Sequence, residues 1–329
     1  MSRYTPSPLL PGEEDDAPKK RRFRLFDSQR EGRGVSKEDA KITPDLSGFF
    51  RSFRRNFTKL LSVNLLTLIG NFPLLFAILA LSGLFKISYM TPVSGYFSDL
   101  RAIMLLDGAQ DPATMAVFGA LGPQIANTAM TTTSDIFLAL SALTFFTFGF
   151  TKVGTTYILR SMIRGEPTFM LSDFRYAAKR NAKQAFLIGI LDLFVLCLLP
   201  LNLITLLESG GGFLGSMLLW TNLLIAVLYF FMRPYIYLQI VTFDLKLFKI
   251  LKNSLLFALL GFKRNLLALV GFLSLCLLSF VLIMGLGGAL LPLGLAIPMV
   301  LLFAAGSFMG DFAAWFKIQE IMIAPEDAE

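Results

Sequence analysis

The sequence predicts an all-α fold: a polytopic membrane helical bundle of six transmembrane helices, set as three hairpins, with amphipathic helices on the cytoplasmic interface. Three observations predict it. Apolar residues fill 55% of the 329 positions and charged residues only 16%, for a mean hydropathy of +0.65. A soluble domain of this length has no interior large enough for that much apolar surface, so lipid is the expected solvent. Long apolar runs recur six times. Three of them follow one short signature, a basic residue, then arginine, then asparagine: Arg54-Arg55-Asn56, Lys179-Arg180-Asn181 and Lys263-Arg264-Asn265.

In chain order, residues 1–43 are rich in Pro, Gly and charge and poor in large apolar side chains, which predicts a disordered basic cytoplasmic tail. Its cluster from Lys19 to Arg24 is not followed by an apolar core. No cleavable signal peptide is therefore expected, and the first span acts as its own insertion signal. Runs that supply the ~20 helical residues needed to cross a ~30 Å hydrocarbon core lie at 58–85, 136–159, 184–207, 213–241, 266–284 and 291–316. The third and fourth are parted by a turn at Glu208 to Gly212, the fifth and sixth by Gly285, Gly287, Gly288 and Pro292. Residues 44–320 thus form the membrane domain and 321–329 a short cytoplasmic tail. The first external connection, 86–135, is a long insertion in which 93–106 and 113–121 read as short helices capping the external end.

Orientation follows from lysine and arginine. Thirteen precede the first span, six lie from Arg160 to Lys183 and five from Lys246 to Arg264. The alternate connections carry two (Lys86 and Arg101), none and none. Both termini are expected on the cytoplasmic side of the cell membrane.

The three signatures then all mark entry into the membrane from the cytoplasm. Two readings fit. Arg54, Arg55, Lys179, Arg180, Lys263 and Arg264 contact anionic headgroups, as cations beside any span do. Alternatively the chain repeats one hairpin unit three times. A stretch with amphipathic spacing precedes each signature: Phe49, Phe50, Phe53 and Phe57; then Phe174, Ala177 and Ala178 behind a cap at Ser172 or Asp173; then Leu247, Ile250, Leu251 and Leu255 opposite Lys246, Lys249 and Lys252. These read as helices lying on the bilayer surface, with Phe174, Ala177 and Ala178 turned to the lipid.

Ionisable side chains at membrane depth are costly and point to function. At a rise of 1.5 Å per residue, Asn64, Lys152, Asp192, Arg233 and Asp311 share one layer about 8–12 Å above the cytoplasmic ends of their spans. Two cations balance two anions, which predicts a buried network. Lys152 and Asp192 are the expected pair, because their spans are consecutive and antiparallel. The opposing reading has Lys152, Arg233 and Asp311 snorkel to the headgroups. Asn71-Phe72-Pro73 and Arg233-Pro234 are expected to kink their helices, and Trp220 and Trp315 to anchor at the interface. Gly285 to Gly288 resembles a fragment of a phosphate loop but reads as a turn.

The chain holds no histidine and two cysteines, Cys197 and Cys276, both inside apolar runs. Histidine catalysis is excluded, and neither a cysteine–histidine metal site nor a disulfide framework is expected. No nucleophile–base constellation stands out, so no enzyme, no cofactor and no nucleic-acid partner are expected.

From Gly154 to Gly189 the chain reads GTTYILRSMIRGEPTFMLSDFRYAAKRNAKQAFLIG, and from Arg233 it resumes RPYIYLQIVTFDLKLFKILKNSLLFALLGFKRNLLALVGF. This resembles the YesL-like family of bacterial integral membrane proteins, over about 51–317 apart from the insertion. The carriers are the helix ending in Arg-Gly-Glu, the aromatic Asp-Phe helix, the basic pair before the next span and the later Phe-Asp-Leu helix. The long insertion and the long basic tail depart from the family pattern. The resemblance implies a non-enzymatic accessory or scaffold role beside a carbohydrate ABC transporter, with no family catalytic residues to carry over. Anionic lipids, such a transporter and a second copy of the chain are the partners to be expected. The rival reading is a small-solute permease that uses the polar layer.

Overall fold

The computed structural model describes residues 42–92, 106, 112, 124–208, 212–286 and 290–323. The basic tail, the capping helices expected at 93–106 and 113–121, the centres of two glycine turns and the last residues lie outside them, apart from isolated positions. Three units follow one another. The first has a short helix α1 (Leu46–Arg55), a broken outgoing helix α2 (Phe57–Gly70) and α3 (Pro73–Leu81), and a return helix in two parts, α4 (Thr132–Ser141) and α5 (Thr144–Arg164). The second has the short α6 (Met170–Arg180), outgoing α7 (Ala182–Glu208) and return α8 (Phe213–Thr242). The third has the short α9 (Leu247–Leu260), outgoing α10 (Phe262–Gly285) and return α11 (Leu291–Ile318), which closes in a π-helical turn, Gln319–Ile323.

The signature residues explain the corner between each short helix and its outgoing partner. Asn56 (φ −102°, ψ 11°) and Asn181 (φ −104°, ψ 21°) hold the same bent backbone. Each donates its Nδ2 to the carbonyl four residues back, Ser52 and Ala177, at 3.0 Å. The side chain adds a second hydrogen bond to a carbonyl that already accepts from the same residue's backbone N–H, at 3.0 and 3.1 Å. In the third unit the corner is Gly261 (φ −91°, ψ 14°), and Asn265 sits one turn later. Asn265 still reaches back across the corner, donating to the Ala258 carbonyl at 2.9 Å. The three asparagines tie down the same helix end, the last from a shifted position.

Packing makes the repeat a closed ring. The return helices α5, α8 and α11 all touch one another and form the centre. Each outgoing helix lies between its own return helix and that of the preceding unit: α7 on α8 and α5, α10 on α11 and α8, and α2 on α5 and, closing the circle, α11. The short helices follow the same rule. α6 packs on α5 and α9 on α8. α1 lays Phe49 on Phe308 and Phe312 of α11, with ring centroids 5.7 and 5.3 Å apart.

This corrects one expectation. The core of each short helix's apolar face turns to the bundle, while Phe50 and Leu255 at the edges stay exposed. Ala177 is fully buried, and Phe174 lies against Gly154 so closely that a Cβ there would come within 2.4 Å of its ring. Ile250, Ser254 and Ala258 are likewise fully buried. Asp173 caps α6 from within its first turn, accepting from the Phe169 N–H at 2.7 Å.

Close approach of α5 and α7 rests on two glycines. A Cβ on Gly189 would lie 2.5 Å from the Gly149 Cα, and one on Gly149 would lie 1.9 Å from the Ala185 carbonyl oxygen. No side chain fits between these backbones, the usual device for tight helix packing in lipid.

The buried residues concentrate at the basic end, on 150–163, 231–241 and 304–318. Towards the other end the helices present large apolar side chains outward, among them Leu214, Trp220 and Phe280. Trp220 is 67% exposed, whereas Trp315, expected at an interface, is 4% exposed and lies in the core under the Arg164 guanidinium.

Five helical segments are long and apolar enough to cross a membrane, and α2 with α3 makes a sixth if counted as one bent span. The pair is bent by 64° at Asn71 and Phe72, where Pro73 can donate no N–H into the ladder. Pro234, by contrast, sits inside an α8 that runs helical from end to end. The insertion opens and closes with an antiparallel pair of strands, β1 (Lys86–Pro92) and β2 (Gln124–Met130), in the register Lys86 to Met130 through Pro92 to Gln124. No strand was expected there.

Candidate functional site

The polar layer is built where α7, α8, α5 and α11 meet. Asp192 on α7 is 1% exposed and faces α8, on which Tyr229, Arg233 and Tyr237 share one face at a spacing of four. Tyr229 donates to Oδ1 at 2.8 Å and Tyr237 to Oδ2 at 2.6 Å. The Arg233 Nε lies 2.9 Å from both oxygens. Three donor hydrogens, the Arg233 Nε–H bridging both oxygens, thus meet a carboxylate that offers about four lone-pair sites. Asp192 is charge-neutralised, and both its oxygens are hydrogen-bonded.

The expected Lys152–Asp192 pair is therefore wrong. Arg233 takes that place, and Lys152 on α5 instead donates to the Ser307 hydroxyl of α11 at 2.8 Å. Depth along an axis places two groups at one height but does not rotate them toward each other. The Lys152 ammonium also lies 5.9 Å from the centre of the Tyr237 ring, and so beside the Asp192 cluster.

Asp311 stands one turn beyond Ser307 on the same face of α11. It is 1% exposed, and its Oδ2 receives no hydrogen bond. Next to it, Gly310 lets Pro234 come close, for a Cβ there would lie 2.8 Å from the Pro234 ring. That contact brings the charged faces of α8 and α11 together. Each of the three central helices thus contributes one Lys, Arg or Asp to the layer: Lys152, Arg233 and Asp311.

Asn64 belongs to a different device. Its Oδ1 accepts from the Ala304 N–H at 2.9 Å, and its Nδ2 donates to the Met299 carbonyl. It clasps one turn of α11 just past Pro298 and holds α2 to that helix.

Of the six basic residues expected at headgroups, Arg54, Arg55, Lys179, Arg180 and Lys263 are exposed at the basic end. Arg180 also donates to the Tyr176 hydroxyl at 2.9 Å. Arg264 is half-buried, with Glu320 3.8 Å away.

Sequence reasoning missed Tyr229, Tyr237 and Ser307, although the spacing of four about Arg233 and before Asp311 was there to see. It also missed Arg160, 8% exposed, whose Nη1 donates to the Val241 carbonyl at 2.6 Å and to the Thr242 hydroxyl at 3.2 Å. A cation at the C-terminus of α8 meets both its free carbonyls and the negative end of its dipole.

A ring of five apolar helical crossings, six with the bent pair counted as one, around a buried ion pair defines a multi-pass membrane protein. No family model, curated protein or solved structure matches the chain.

Proposed function

We propose that this protein is a non-enzymatic accessory or scaffold component of the cytoplasmic membrane that serves carbohydrate uptake by an ABC transporter, as a divergent relative of the YesL-like family. The basic end, with its ring of short helices, faces the cytoplasm and carries the contacts to anionic lipid and to the transporter. The family relation rests on the motifs around Gly154 to Gly189 and from Arg233 onward.

The observation that supports this reading best is the hydrogen bonding of both Asp192 oxygens. A transport site keeps acceptors free for its cargo, whereas here one of the two buried carboxylates is used up by its neighbours on α8. The layer acts as a lock between helices. Affinity purification from native membranes followed by mass spectrometry tests the proposal. A permease subunit of a sugar ABC transporter is expected well above an unrelated membrane-protein control, and its absence from repeated purifications overturns the reading.

The permease reading keeps one observation of its own, the buried Asp311 Oδ2 that receives no hydrogen bond, one turn from the Ser307 that accepts from Lys152. Solute accumulation by proteoliposomes holding this protein alone, lost in Asp311→Asn, would establish that reading over the first.

A further inference from the structure

Between α1, α10 and α11 at the basic end runs a groove of about 480 Å³. Its wall on α10 runs from Arg264 to Leu278, with the small Ala268, Gly271 and Ser274 set beside Leu267, Val270 and Leu275. Fourteen residues of helix extend ~21 Å, more than the ~15 Å of one leaflet's hydrocarbon. Small side chains make the concavity, and Phe49 and Phe50 of α1 close its side near Arg264.

The mouth is cationic and unsatisfied. The Arg264 Nη1 is buried without a hydrogen bond, and its ion pair with the Glu320 carboxylate is long, at 3.8 Å. A buried guanidinium nitrogen calls for an oxygen acceptor, best an anionic one. The groove's other charged residue, Asp45, does not supply it. Its carboxylate caps α1, accepting from the Gly48 N–H at 2.9 Å and from the Thr43 hydroxyl. Those bonds, the Thr43 hydroxyl first, hold its carboxyl below the usual range.

We propose that this groove is a specific site for one anionic phospholipid, its phosphate on Arg264 and one acyl chain laid along α10 toward Leu278. An apolar trough longer than a leaflet's chains, with an arginine nitrogen that lacks a hydrogen bond at one end, has the polarity and length of that amphiphile. The site stands whether or not the transporter partnership holds.

To test it, the full-length protein is reconstituted with equimolar phosphatidylglycerol and phosphatidylcholine, extracted in mild detergent and weighed by native mass spectrometry. One phosphatidylglycerol per chain is expected, preferred about fivefold over phosphatidylcholine, since a cation near a membrane surface contributes roughly that factor. Arg264→Gln abolishes the preference. Ser274→Trp fills the trough and abolishes retention of either lipid, and Ala268→Leu serves the same purpose if the tryptophan variant does not elute as a single species. Lys86→Gln, a charge loss at the other end of the helices, leaves the preference intact. Equal retention of the two lipids by the unaltered protein overturns the proposal. So does a preference that survives Arg264→Gln, or retention unchanged by filling the trough.

Discussion

Arg233 holds Asp192 through a single nitrogen, its Nε lying 2.9 Å from each carboxylate oxygen. The guanidinium reaches the acid from α8 edge-on, and its side chain stays 26% exposed while the aspartate is 1% exposed. The pair is thus lopsided: the anion is sealed in and the cation is partly open.

That asymmetry sets the first prediction. Arg233→Met leaves a sealed carboxylate without its cation and is expected to cost ~3–5 kcal/mol, whereas Arg233→Met with Asp192→Asn recovers most of the loss. Thermal unfolding of the purified variants in detergent measures it. Losses that simply add in the double variant would show that the two side chains are not coupled.

The tyrosines are the second. Tyr237→Phe and Tyr229→Phe each remove one hydrogen bond to a charged acceptor, worth about 1.5–3 kcal/mol. Tyr237 is fully buried, so its loss lets in no water and is expected to be the larger. The same melting assay ranks them, and equal midpoints for both variants and the parent would contradict the hydrogen-bonded geometry.

Third, the two buried aspartates are not equivalent. Asp311→Asn gives up an oxygen that receives no hydrogen bond, so it is expected to be tolerated better than Asp192→Asn, which turns an acceptor bonded at both oxygens into a group with two surplus N–H donors. Membrane levels of the two variants, read by quantitative blotting at equal expression, decide it. A lower level for Asp311→Asn reverses the ranking.

Fourth, Gly189→Val drives a branched side chain into the α5 backbone and is expected to cost well over 1 kcal/mol, overpacking alone accounting for ~1–3 kcal/mol. Gly215→Ala meets open space and serves as the control. A Gly189→Val protein that melts with the control would mean that α5 and α7 are not in backbone contact.

A fifth concerns the corners. Asn56→Ala and Asn181→Ala each lose the same bond to the carbonyl four residues back and are expected to lower stability alike, by ~1 kcal/mol. Asn265→Ala also strips the acceptor of the fully buried Tyr235 hydroxyl, 3.1 Å away, and is expected to lose more. Melting midpoints in the order Asn265 variant, then the other two together, check the shared role.

Much of this was legible before any coordinates. Asn56 and Asn181 were marked by their repetition, and they became the matched corners because a polar side chain just past a helix end has one obvious task. The bend at Asn71 and Phe72 followed from Pro73. Other features left no local trace. Nothing in the residues 86–92 or 124–130 announces strands to a reader counting apolar runs for spans. The burial of Phe174 and Ala177 depends on α5 standing where a bilayer was expected. Lys152 and Arg233 were equally eligible for Asp192, since both lie on neighbouring antiparallel spans at the same height.

What the sequence determined by itself is the solvent, the count of crossings and which helix ends share the basic side. Hydropathy and charge are sums over neighbours in the chain, and lipid selects on those sums. What only the tertiary structure decided is the direction each side chain takes about its helix axis, and therefore who bonds whom: Arg233 with Asp192, Lys152 with Ser307, Asn64 with the turn after Pro298. A rotation of some tens of degrees leaves hydropathy unchanged but exchanges every polar partner, so that choice is made by the packing of the return helices and not by any one of them.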